Sequence, residues 1–215
     1  MPRKPTGANA AHSRFLPRIF AALLLVPCAP ILVALGLGVG ITMGRPILFR
    51  QARSGLGQKG FTLLKLRSMR SAFDADGHPL PDAERVTRFG RFLRRSRLDE
   101  LPGLWNVACG DMAFIGPRPL LPETIAQLGE SGRERARVRP GLTGWSQVNG
   151  NTLLSLHEKV ELDLHYIANA GPRLDFQILA RTLWVMIGGE RRAARPRERA
   201  SSEAVDEPAT PVPLP

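Results

Sequence analysis

RRSRLDELPGLWNVACGDMAFIGPRP, residues 94–119, is the stretch on which the reading of the chain turns. It holds an arginine cluster (Arg94, Arg95, Arg97), a carboxylate pair (Asp99, Glu100), a Gly110-Asp111 turn and an arginine between two prolines, Pro117-Arg118-Pro119. Pro102 lacks a backbone N–H and sits easily only in the first turn of a helix. The spacing therefore predicts a helix through Leu101, Leu104, Trp105 and Val107 that starts near Arg97–Asp99, with Ser96 as its cap. Asp99 and Glu100 would stand at the positive end of that helix beside three arginines, which keeps at least one of them ionised. An ionised carboxylate is a nucleophile or a metal ligand. For an Asp-Glu pair taken alone, surface salt bridges and an ordinary capping acid are the plainer reading. Cations next to ionised carboxylates suit a site that holds a phosphorylated substrate and attacks it.

Composition narrows the partners. The 215 residues suffice for one domain with a core, and 30 Lys and Arg against 19 Asp and Glu leave a formal charge of +11. Such a surface favours an anionic partner: nucleic acid, lipid headgroups or a phosphorylated metabolite. Nucleic acid fits poorly, because the chain has no aromatic-basic platform and no zinc finger. The two cysteines, Cys28 and Cys109, outline no disulfide framework; His12, His78, His157 and His165 have no zinc spacing; and no G-x-S-x-G occurs.

Upstream, Ile19 to Gly44 carries no charge and is long enough to cross a bilayer. Pro27 and Pro30 lie near its middle, where each removes a helix hydrogen bond. Arg3, Lys4, Arg14 and Arg18 precede it, and Arg45, Arg50, Arg53 and Lys59 follow. Positive charge on both flanks holds both on the cytoplasmic side. A proline-broken, re-entrant membrane helix satisfies both features, and a single kinked span is the alternative.

The remainder reads in order. Pro46 to Met69 is a hairpin, Ile47-Leu48-Phe49 and Phe61–Leu64 around Gly55, Gly57 and Gly60, whose second run places Lys65 and Arg67 on one face. Those two would hold a diphosphate or line a solvated edge. Phe73 to Asp82 is a loop, and Glu84 to Arg95 a basic amphipathic helix of the kind that lies on anionic membrane. Pro122–Arg137 is helical, 139–150 is a loop whose residues suit a nucleotide or sugar, and Leu153–Ile167 and Leu174–Ile187 are helices, the last resting at the membrane interface. The expected fold is α+β and mostly helical: a basic disordered N-terminus (1–17), the re-entrant helix (18–44), a cytoplasmic catalytic domain (45–188) with a small β-hairpin and interfacial helices, and a disordered tail (189–215).

Taken together, the motifs carry a family resemblance. GRPILFRQ at 44–51, KLRSM at 65–69, Arg94 followed by LDELP at 98–102, WNV at 105–107, GDM at 110–112, GPRP at 116–119, RPGLTGW at 139–145 and ELD at 161–163 occur in order. The chain resembles the bacterial sugar transferases, specifically the small monotopic polyprenyl-phosphate phosphoglycosyl transferases, over roughly Arg18 to Gly188. The resemblance implies transfer of a sugar-1-phosphate from a UDP-sugar to polyprenyl (undecaprenyl) phosphate, with release of UMP. It makes Asp99 a covalent nucleophile, and Glu100 a Mg²⁺ ligand or base. Lys65, Arg67, Arg94, Arg118 and Arg139 become candidates for the phosphates, with Pro117 and Pro119 flanking the fourth. It also implies a helix turning at Ala29-Pro30 and a seat on the cytoplasmic face of the bacterial inner membrane, in contact with lipid and at the first membrane step of glycan assembly. A homodimer or partners in glycan assembly stay open, as does a membrane-anchored, non-catalytic scaffold. Asn151-Thr152 and Leu156 stand where the family often shows Arg-Asn and Trp, and Arg97 where a small residue is common.

Overall fold

The computed structural model describes residues 7–72, 76, 78 and 80–188. The tail expected to be disordered, residues 1–6 and part of the 73–82 loop lie outside these. Helix α1 (Gly7–Met43) leads into a hairpin of β1 (Leu48–Ser54) and β2 (Gly60–Leu66). Then come α2 (Asp82–Arg85), α3 (Arg88–Ser96), α4 (Gly103–Cys109), β3 (Ala113–Ile115), α5 (Pro122–Gln127) and α6 (Gly129–Arg135). β4 (Gly141–Thr143), α7 (Trp145–Val148), α8 (Leu156–Asn169) and α9 (Pro172–Gly188) complete the order. The fold is mostly helical with two small sheets.

The hairpin is antiparallel, Leu48 opposite Leu66 through Ser54 opposite Gly60. Its outer edge is closed by a side chain. Asn106 Nδ2 donates to Thr62 O at 2.8 Å and its Oδ1 accepts from Leu64 N at 3.0 Å, so one amide from α4 stands in for a third strand's peptide. The Asn106 carbonyl also accepts from Gly110, Asp111 and Met112 N–H groups, which shapes the turn after α4.

α1 begins at Gly7, inside the stretch expected to be disordered, and continues through Pro27 and Pro30. The two prolines sit within the helix and do not end it; a proline bends a helix more readily than it stops one held by apolar surroundings. By length and composition Phe15–Met43 is the one described helix able to cross a membrane. Both of its ends rest on the globular part. Near its start, Arg18 donates to Ala108 O (3.1 Å) and Cys109 O (2.9 Å), Phe20 packs against Phe114, and Ala21 is buried with Leu63, Val107 and Met112. Near its finish, Val39 and Met43 are buried with Leu66 and Leu93. The last carbonyls of any helix lack intrahelical partners; here Met43 O accepts from Arg67 at 2.9 Å and Thr42 O from Arg70 at 3.1 Å. Leu23, Val26, Val33 and Leu37 between them are exposed.

Several expected boundaries differ. The single helix over 84–95 is two, because Val86 bridges Met69 and Thr87 caps α3 by accepting from Gly90 N at 2.9 Å. Gly90 permits the close approach: a Cβ there would lie 1.9 Å from Ser68 O. Helix 122–137 breaks at Gly129, which has φ +55°. The expected loop 139–150 contains β4, paired in parallel with β3, and α7. Three-residue strands show no alternation long enough to read.

Candidate active site

α3 ends at Ser96, whose hydroxyl donates back to Phe92 O (2.8 Å) and Leu93 O (3.2 Å). Ser96 therefore serves the helix before the acids, not the one after them. Arg97 turns the chain in a left-handed conformation (φ +55°), Leu98–Glu100 form a 3-10 turn, and Pro102 stands immediately before α4. The dyad thus sits on a tight turn between two helices, with both carboxylates facing a cleft of about 610 Å³.

The two acids are treated differently. Glu100 Oε1 accepts from Lys65 Nζ at 2.7 Å and from Arg118 at 3.1 Å, and its side chain is only 15% exposed. Burial alone would raise Glu100, but Arg118 and then Lys65 outweigh it and hold it at about 2. Asp99 is raised to about 6, first by burial and then by the charge of Glu100, against weaker pulls from Lys65, Arg118 and Arg94. Lys65 is lowered by burial, with Glu100 opposing. One carboxylate is neutralised in place; the other faces the cleft with its basicity increased.

The cleft wall is cationic: Arg53, Lys65, Arg67, Arg70, Arg85, Arg94, Arg97 and Arg118 line it against the two carboxylates. Lys65, Arg67, Arg94 and Arg118, expected from sequence, all reach it. Their side chains are not equally committed. Arg67 donates to the carbonyls of Met43, Arg45, Pro46 and Met69, so its guanidinium ties the hairpin to the end of α1. Arg94 donates to Ser68 Oγ at 3.0 Å and contacts Met69 Sδ. Arg139 is not on the cleft wall; it donates to Gly110 O at 2.9 Å and braces that turn.

The Pro117-Arg118-Pro119 run is pinned through its backbone. Pro117 O accepts from Gly141 N (2.9 Å), Arg118 O from Arg135 (2.9 Å), Pro119 O from Arg53 (3.2 Å) and Leu120 O from Ser54 N (3.0 Å). Behind it, Arg135 and Asp163 form an ion pair at 2.5 Å with side chains 3% and 1% exposed. Burial raises the Asp163 acid, and Arg135, then Ser146, pull it back. Four successive carbonyls held from three elements, β1, α6 and β4, fix the backbone from which Arg118 reaches Glu100. Arg53, Arg70, Arg85, Asn151 and Thr152 also line the cleft. Sequence reasoning gave none of the five a site role, since local pattern marks none of them for one and only folding brings them to the dyad.

A cationic cleft of this kind around one paired and one open carboxylate suits phosphorylated ligands. Comparison with known proteins gives the particular family. The sequence model described as "Bacterial sugar transferase" matches residues 8–189, and the chain belongs to that family. It is 41% identical over 172 residues to the uncharacterized sugar transferase EpsL of Bacillus subtilis (strain 168), covering 78% of this chain and 85% of that protein. It is 38% identical over 183 residues to the UDP-glucose:undecaprenyl-phosphate glucose-1-phosphate transferase of Xanthomonas campestris pv. campestris, covering 80% of this chain. It is also 34% identical over 183 residues to the UDP-N-acetylgalactosamine-undecaprenyl-phosphate N-acetylgalactosaminephosphotransferase of Aeromonas hydrophila, again covering 80% of this chain. The matched segment spans only 38% and 43% of those two relatives.

Proposed function

We propose that this chain transfers a sugar-1-phosphate from a UDP-sugar to undecaprenyl phosphate, in two steps through Asp99. In the first, an Asp99 oxygen attacks the sugar-linked phosphorus; the new P–O bond forms as the bond to UMP breaks, and UMP leaves. In the second, a phosphate oxygen of the lipid attacks the same phosphorus, and the Asp99 carboxylate departs. The observation that carries this reading is the division of labour in the dyad. Asp99 is open to a cationic cleft and more basic than an ordinary carboxylate, yet largely ionised at neutral pH. Lys65 and Arg118 are already in place to meet phosphate charge without reorganisation. A non-catalytic scaffold has no need of such a pair.

Glu100, held at about 2, is a poor proton acceptor at neutral pH, which favours the metal-ligand role over the base. Both of its cationic partners bond Oε1, leaving Oε2 to ligate a metal ion. Among the described residues no group of three or more ligating side chains is gathered. Mg²⁺ fits such a sparse set, because it commonly binds one or two carboxylates together with substrate phosphates. When bound, it neutralises charge on the diphosphate.

The contacts of α1 support a re-entrant seat, and the basic residues flanking it support the cytoplasmic face of the bacterial inner membrane. Arg18, near the start of the apolar stretch, bonds to α4, and Met43 at the end of α1 to Arg67 directly after β2; α4 and β2 are joined through Asn106. Two ends held by one domain favour a seat on a single side of the bilayer over a full span. Relatives named for glucose and for N-acetylgalactosamine match similarly, so the donor is proposed only as a UDP-sugar.

The test omits the lipid. Enzyme given a UDP-sugar alone should release about one UMP per site and gain the mass of a sugar phosphate on the peptide containing Leu98-Asp99-Glu100. Asp99→Asn should show neither, with turnover down by about 10⁴ or more, as when other covalent nucleophiles are removed. UMP release that requires both substrates together would refute the covalent step.

A further inference from the structure

The cleft is not symmetrical about the dyad. At one end Lys65 and Arg118 bond Glu100, and Arg53 lies close enough to Arg118 to have its own acidity raised, after burial, by that charge. At the other end lie Arg70 and Arg85. Arg70 N donates to Arg85 O at 2.9 Å, and the neighbouring Met69 and Val86 form an antiparallel bridge, so these two arginines are held side by side. Both Nε and an Nη of Arg70 donate to Thr42 O, at 3.3 and 3.1 Å. That carbonyl belongs to the last turn of the apolar helix, where the chain leaves its exposed hydrophobic stretch for the charged domain. The second end of the cleft is thus fastened to the point where the membrane element emerges.

The two substrates proposed above are both anions, but they arrive differently. A UDP-sugar diffuses in from water. A polyprenyl phosphate keeps its tail in the bilayer and presents its phosphate at headgroup depth, the depth at which α1 ends. We infer that Arg70 and Arg85 form a subsite for the phosphate of the lipid acceptor, separate from the Lys65–Arg118 end that receives the donor's diphosphate. The inference rests on the proposed function. Cations at this end offset the repulsion between an incoming lipid phosphate and the phosphosugar on Asp99, a repulsion that the first step never meets. Met69, on the same wall, adds an apolar contact beside them.

Half-reactions separate the two ends. Full-length enzyme in nanodiscs would be given UDP-glucose or UDP-N-acetylgalactosamine, whichever the unsubstituted protein accepts, and then undecaprenyl phosphate. Arg70→Ala and Arg85→Ala should keep the UMP burst within twofold while discharge of the phosphosugar to undecaprenyl phosphate slows tenfold or more. The KM for undecaprenyl phosphate should rise and that for the UDP-sugar should not. Arg85→Ala leaves the Thr42 contact in place and decides the matter if Arg70→Ala does not fold. Loss of burst and discharge together, a raised KM for the donor, or no change in either step would overturn the subsite and leave the two-step reaction standing. Absence of any burst in the unsubstituted enzyme would remove the reaction and the subsite with it. Running the assay in neutral and in anionic nanodiscs distinguishes the acceptor from an ordinary headgroup: a discharge defect confined to anionic lipid would mean that the arginines bind bulk phospholipid, against the inference.

Discussion

The floor of the cleft and the outer face of α1 are built from opposite materials, and each leaves something unsatisfied. Beneath the cleft, charges are withdrawn from water and matched: Glu100 with Lys65 and Arg118, and Asp163 with Arg135. Along α1, large apolar side chains such as Leu23, Val26 and Ile41 stay exposed. Leaving one such side chain in water forgoes roughly 1.5–3 kcal/mol, so this helix calls for an apolar phase that the protein does not provide. Cations outnumber carboxylates on the cleft wall, and the outer face of the helix is apolar. The lipid phosphate proposed as acceptor would bring an anion and hydrocarbon in one molecule.

The largest effect should come from breaking a matched charge. Asp163→Ala leaves Arg135 buried with only the Arg118 carbonyl as acceptor, and breaking a buried pair this way costs about 3–5 kcal/mol. The double change Arg135→Met with Asp163→Leu should cost much less, because no charge stays uncompensated. Denaturation midpoints in detergent would show it. A double variant as unstable as the single one would mean that Arg135 matters mainly for holding the Arg118 backbone.

A smaller effect should follow from placing a charge on α1. Val33→Arg puts a cation in the middle of the apolar stretch, at a cost of about 2.5–3.5 kcal/mol on insertion scales. Membrane-fraction recovery should fall relative to a control substitution at exposed Glu130 of α6. Unchanged recovery would mean that α1 does not lie in hydrocarbon.

What the sequence disclosed follows the same division. The apolar run and the hairpin were legible because both depend on local pattern: absence of charge over one segment, two apolar runs around glycines over the other. The dyad, Lys65 and Arg118 were legible through motif and resemblance. The pinning of Arg118 was not, because its backbone partners, Arg135, Arg53, Gly141 and Ser54, come from three separate elements. The role of Ser96 was misjudged for a related reason. A serine between two helices can cap either, and a left-handed Arg97 decides for the first. Alternation puts Lys65 and Arg67 on one face, but nothing local shows that carbonyls at and just beyond the end of α1 occupy Arg67.

The smallest effect concerns the two acids themselves. Asp99 is raised from an ordinary value of 3.8 to about 6, and Glu100 is lowered from 4.5 to about 2. If ionised Asp99 is the nucleophile, the rate of the UMP burst should fall about tenfold per pH unit below 6 and level off above 7. Glu100 stays ionised across that range and adds no limb. Its charge is nonetheless one cause of the raised Asp99 value, so Glu100→Gln should move the inflection down; Arg118→Met removes an attracting cation and should move it up. Stability should run the other way from rate. A raised carboxyl favours the folded protein fully below 3.8, and that contribution is lost as pH rises through about 6. Asp99→Asn, which cannot ionise, should therefore denature later than the unsubstituted protein at pH 7, with the advantage shrinking toward pH 4. Glu100 has the opposite sign: its contribution is present above 4.5 and lost as pH falls toward about 2. Glu100→Gln should therefore cost stability at pH 7. An inflection near 4, or an upward shift with Glu100→Gln, would mean that the environment of Asp99 is not the one that tunes it for attack.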